Sequence, residues 1–97
     1  MEQNLVHGQT YGIEMKQRVV QALKKAFTDS EVELDPESLL DGRYTGLIIW
    51  AGFDGLDSID RHRKVKQALI AALGGESANV GILFTYTPVE MQAMSAA

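Results

Sequence analysis

Arg61, His62, Arg63, Lys64 and Lys66 put five groups that can carry positive charge into six consecutive positions. Guanidinium and ammonium groups recognise carboxylates and phosphates, and an imidazole can move a proton or bind a metal. The run therefore reads either as a binding surface or as the solvated side of a helix. Its setting is acidic, because the whole chain has a formal net charge of −4. A protein built mainly to grip nucleic acid carries an excess of Lys and Arg, so such a role is left only to a local patch. The chain has no cysteine, which removes disulfides, thiolate ligands and thiol catalysis and agrees with a cytoplasmic location. Any metal would need His7, His62 or the carboxylates. No Ser/His/Asp order, phosphate-binding loop or H-E-x-x-H string occurs, and the acidic residues fall mostly on exposed strand and turn positions, so no enzyme is expected.

The basic run needs a helix to position it. On a wheel of about 100° per residue, Val65, Leu69, Ala72 and Leu73 gather on one side with His62 in their middle. Arg63, Lys64 and Gln67 point the opposite way, and Arg61 and Lys66 flank the apolar stripe, so the five groups surround the helix and do not form one patch. Asp57 with Arg61 and Asp60 with Lys64 are i, i+4 pairs in the favourable orientation, each worth a few tenths of a kcal/mol. His62 is expected inside, hydrogen-bonded in the core. Asp57 or Ser58 caps the start of this helix, and Gly74-Gly75 ends it after Leu73.

Other elements follow from periodicity. Residues 1–10, with His7, have no period and form a flexible lead-in to a single domain over 11–97. Met15, Val19, Ala22, Leu23, Ala26 and Phe27 recur at helical spacing and predict an amphipathic helix over 13–27, stopped by Thr28-Asp29-Ser30. Val32 and Leu34 alternate with Glu31, Glu33 and Asp35 as a strand that Pro36 ends. A connector, DPESLLDGRYTG, then carries Arg43 and tucks Leu39 and Leu40 back onto the core. Leu47-Ile48-Ile49-Trp50 reads as a central strand covered on both faces. A third strand alternates Val80, Ile82, Phe84 and Tyr86 with smaller or polar neighbours. Thr87-Pro88-Val89-Glu90 spells a capping box with proline at the first helical position, opening a short helix with Met91 and Met94 inward. The sum is an α+β sandwich: a three-stranded sheet covered by two helices, and a short C-terminal helix. No stretch is apolar for long enough to span a membrane. Strand pairing at an edge allows a monomer or a weak dimer.

Phe53-Asp54-Gly55-Leu56, followed by Arg61-His62-Arg63, Val65 and Leu69, resembles the central signature of the BolA family, which reads F-x-G, a short variable turn, then R-H-R and a helix. Thr87-Pro88-x-Glu90 after a strand resembles that family's C-terminal T-P-x-E. The resemblance spans about residues 13 to 92 and implies an αββααβα plan, a relative of the class II KH fold.

What it implies about function is a partner protein without enzymatic activity. Family members associate with monothiol glutaredoxins, and the pair holds or exchanges a [2Fe-2S] cluster in iron-sulfur assembly and iron sensing. Some members act in the stress response as DNA-binding transcription regulators. The family's recurrent cluster ligand, a histidine near the start of the last strand, falls on Asn79, and the loop from Asp35 to Gly46 holds neither His nor Cys. A carboxamide is a poor donor to iron, so this chain is expected to hold no cofactor and no metal of its own and to act by contact. The candidate partner surface is Arg43, Arg61, Arg63, Lys64 and Lys66. The alternative is a DNA- or RNA-binding regulator using the same cations. KH modules grip single strands at a G-x-x-G turn, and Gly52-Phe53-Asp54-Gly55 spells that string, with a carboxylate facing where a phosphate would lie.

Overall fold

The computed structural model describes residues 15–40 and 43–96, with the side chains of 36–40 set aside. The lead-in, His7 and the first residues of the expected opening helix lie outside the described residues, as does the placement of the Leu39 and Leu40 side chains. The element order is α1 (15–26), β1 (Glu31–Leu40), β2 (Arg43–Ile49), α2 (Ser58–Leu73), β3 (Val80–Tyr86) and α3 (Pro88–Ala96), with 3-10 turns at Ala51–Phe53 and Gly74–Asn79. This is the expected α+β arrangement of a three-stranded sheet, two covering helices and a short C-terminal helix.

The sheet order is β1-β2-β3. β1 and β2 form an antiparallel hairpin, and β3 returns parallel to β2 after the α2 crossover, the connection a parallel neighbour requires. Met15, Val19, Leu23 and Phe27 stand four residues apart and lie buried in a row on the sheet. Val65 and Leu69 reach the same space from α2, Leu34, Ile48 and Leu83 rise from the three strands, and Phe53 closes the end from the turn. Asp29, at φ 69°, takes the left-handed conformation that ends α1, a region Asp tolerates better than most residues.

Several expectations give way here. Pro36 does not end its strand: β1 continues to Leu40, and the pairing slips between Leu34 and Leu39. Proline has no N–H to donate, and on an edge strand an irregular stretch absorbs that loss. The connector is accordingly the hairpin itself. β2 is central, but among the described residues helices cover one of its faces only, with Leu47 and Ile49 half-buried on the other. In β3 the buried residue is Leu83, whereas Ile82 and Phe84 are 65% and 57% exposed. Ile82 and Phe84 thus face away from the helices, while Val80, on the other side of the register shift, packs against the core. Met94, expected inside, is exposed, and Met91 is half-buried. No described helix is long and apolar enough to cross a membrane.

Candidate functional site

The turn that leads into α2 is built from aromatic rings. Phe53 has no exposed surface and packs at 5.1 Å from the Trp50 ring and 5.7 Å from Phe27, while Trp50 Nε1–H donates to Thr28 O at 3.0 Å. A side chain at Gly52 would collide with the Trp50 ring, and Gly55 adopts φ +81°, which only glycine enters freely. The G-x-x-G string is therefore a steric hinge between a strand and a helix. Its second residue is buried and unavailable to a ligand.

Asp57 caps α2 by accepting the Asp60 N–H at 2.8 Å. One turn later Arg61 crosses the Phe53 ring at 5.8 Å and distributes its guanidinium among three elements. Nε–H donates to Leu56 O at 2.9 Å, Nη1–H to Thr85 O at 3.2 Å, and the two Nη groups to both Glu90 oxygens at 2.7 and 2.9 Å. Glu90 also completes the expected capping box: its Oε1 accepts from Thr87 N at 2.9 Å, and its own N–H donates to Thr87 Oγ1 at 3.1 Å. The Arg61 hydrogen bond, then the Thr87 backbone N–H, hold the Glu90 carboxyl down from the usual 4.5 to about 2, and the same pair raises Arg61. Arg61 thus joins the R-H-R stretch to the T-P-x-E stretch. Its side chain is 12% exposed, and its donors are directed into the fold.

His62 is not inside. It stands exposed at the rim of the seam between α2 and β3, with Nδ1 2.9 Å from Ser58 O and Nε2 3.1 Å from Leu83 O. A neutral ring has one N–H for these two carbonyls, and neither nitrogen is turned toward an open site. Trp50 N–H donates to Tyr86 O at 2.8 Å, so the Phe84 and Tyr86 carbonyls face β2 and those of Leu83 and Thr85 face outward. Those outward carbonyls are the acceptors that His62 and Arg61 reach. Two positions on an edge that could template another strand are thereby occupied.

The remaining candidates separate in space. Arg63 pairs with Asp60 at 3.6 Å on the exposed side, so Asp60 turns to its i+3 neighbour and not to Lys64 as the spacing suggested. Lys64 is exposed on the outer side of α2. Lys66 and Arg43 both line, with His62, one groove of about 540 Å³ whose apolar wall is Val65, Leu69 and Leu83. Asn79 is half-buried at the end of the 3-10 turn, and its neighbours Ala78 and Val80 line the same groove. Among the described residues no three His, Cys, Asp or Glu side chains gather as a metal-holding group.

Sequence reasoning found the cations but not the groove that Arg43 and Lys66 both line, and it read Glu90 only as a cap. The signal for the second was present, since an arginine in one quoted stretch and a glutamate in the other are complementary charges. No model of a known protein family matches the sequence, and no curated protein does.

Proposed function

We propose that this chain is a BolA-like adaptor without enzymatic activity, which docks on a monothiol glutaredoxin through the α2/β3 groove and supplies no ligand to that partner's iron-sulfur cluster. The observation that carries the reading is the Arg61–Glu90 pair. It joins residues 29 apart in sequence and so ties together the two stretches on which the resemblance rests. The groove beside that clamp combines an apolar wall with the cations of Arg43 and Lys66, a surface suited to an acidic-edged protein partner. A carboxamide stands at position 79, and both nitrogens of His62 are turned to backbone carbonyls, so the donor set favours contact over metal ligation. A role in iron-sulfur or stress regulation follows from the partner and belongs to the same proposal.

The test is co-expression with a monothiol glutaredoxin and capture of the complex. The wild-type chain is expected to be captured. Arg43→Glu with Lys66→Glu is expected to lose capture while keeping the wild-type thermal midpoint. Equal capture of both, or a visible spectrum with a histidine of this chain bound to iron, would overturn the reading. Salt-sensitive retention of the chain on single-stranded DNA at moderate ionic strength, with no capture of glutaredoxin, would instead favour the regulator.

A further inference from the structure

The face of the sheet turned away from α1 and α2 carries an ordered pattern. The pairing places Glu31, Ile49 and Tyr86 in one row across the three strands, and Glu33, Leu47 and Phe84 in the next. Each partner pair points to the same side of a sheet, and the alternate residues Val32, Leu34, Ile48 and Leu83 face the core. The outward rows are therefore acidic on β1 and apolar on β2 and β3. Ile82 extends the apolar stripe, and Phe84 and Tyr86 stack at 6.5 Å with 17° between their planes. Ile82 and Phe84 are exposed and Leu47, Ile49 and Tyr86 are half-buried, which leaves an accessible apolar strip with a charged border on one side, a pattern suited to docking.

We infer that this sheet face, which no described helix covers, binds an amphipathic helix of a partner protein, with the helix's apolar stripe on Leu47, Ile49, Phe84 and Tyr86 and its lysines or arginines on the side of Glu31 and Glu33. The dimensions agree. Each row spans about 10 Å across three strands, and successive rows are about 7 Å apart along the strand. The knobs of a helix at i and i+4 stand about 6 Å apart. A helix lying along β2 and β3 sets one knob near each row and leaves its flank above β1. Charge selects the occupant. A second copy stacked about a two-fold axis across the strands would lay Glu31 and Glu33 on their own counterparts. About an axis along the strands it would lay them on Phe84 and Tyr86. Both arrangements bury carboxylates against like charge or against apolar rings, which is unfavourable. A basic-edged helix meets neither conflict. Ile82 also borders the α2/β3 groove, but Leu47, Ile49, Phe84 and Tyr86 do not line it, so the inference stands independently of the glutaredoxin proposal.

The probe is a synthetic helical peptide of about 18 residues, with leucines at i, i+3, i+4 and i+7 and lysines along one flank. Its control carries glutamates in place of the lysines. Both are titrated against the full chain by fluorescence anisotropy, and amide NMR shifts locate the contact. The lysine peptide is expected to bind at least about tenfold more tightly, with shifts on the outer residues of β2 and β3. Phe84→Ser, at an exposed position, is expected to cut binding by about tenfold or more. Glu31→Lys with Glu33→Lys is expected to abolish or reverse the preference, and it decides the matter alone if Phe84→Ser does not fold. Equal binding of the two peptides, shifts confined to the α2/β3 groove, or a wild-type dimer that Phe84→Ser dissolves would each overturn the inference. Glutaredoxin capture, run in parallel, is expected to be unchanged by Phe84→Ser. Loss of capture in Arg43→Glu/Lys66→Glu with intact peptide binding keeps the two proposals distinguishable.

Discussion

Replacing Arg61 by lysine keeps the charge and removes the fork. In the native fold the guanidinium donates to two backbone carbonyls, Leu56 O at 2.9 Å and Thr85 O at 3.2 Å, besides its two bonds to Glu90. A lysine is a single point donor and cannot span these positions. Counting only the two carbonyl bonds, at about 1 kcal/mol each, the loss is about 2 kcal/mol. The Glu90 pair is left out because that carboxylate is 43% exposed and screened by water. For a domain of this size about 2 kcal/mol lowers the thermal midpoint by roughly 8 to 16 °C. Trp50, the single tryptophan, stacks edge-on with Phe27 and Phe53 and reports unfolding by its fluorescence. Arg63→Lys is the control, since its side chain is 64% exposed and its ion pair with Asp60 is long, which predicts a change within about 0.5 kcal/mol. An Arg61→Lys midpoint within about 2 °C of wild type, or an equal drop in Arg63→Lys, would refute the assignment of Arg61 to the interior of the fold.

Three further outcomes follow from the same seam. Phe53→Ala removes a fully buried ring between Phe27 and Trp50 and should cost about 3 to 5 kcal/mol, read as the urea midpoint, with Phe53→Leu well short of that; equal effects would mean the ring is not needed. The Glu90 carboxyl is lowered from 4.5 to about 2 on folding, so its stabilisation is complete above its unfolded value and drains away as the pH falls toward 2. The gap in thermal midpoint between wild type and Glu90→Gln should be constant above about pH 5 and close on acidification; a gap that widens on acidification contradicts the sign. His62→Ala leaves the outward Leu83 carbonyl without its side-chain partner, and sedimentation velocity should detect increased self-association at high protein concentration; an unchanged monomer would mean that the ring does not guard the edge.

Much of the local structure was legible because it depends on neighbours in the chain. The rows of Met15, Val19, Leu23 and Phe27 and of Val65 and Leu69 follow from a 3.6-residue period, and the Asp57 cap and the Thr87/Glu90 box follow from side chains within reach of their own helix start. Glycine at 55 and 74, both at positive φ, likewise marks a backbone need that local steric rules predict. Pro36 misled for the opposite reason. A proline's missing donor matters only where a partner strand needs it, and that is a property of the sheet.

What the sequence by itself determined is where α2 begins and ends and where α3 begins, which stripe of α1 and of α2 is apolar, and that a cluster of cations lies on α2. Only the tertiary structure decided where those cations work. The crossover brings Thr85 and Glu90 to Arg61, moves His62 from the expected interior to an edge, and puts Arg43 and Lys66 on the lining of one groove. It also turns Ile82 and Phe84 outward although they are more apolar than much of what is buried. The physical reason is that a strand's two faces are equivalent until something packs on one of them. α1 and α2 cover a single face, and the register of β3 against β2 then puts Leu83 into the core and leaves Phe84 beside Leu47 on the outside.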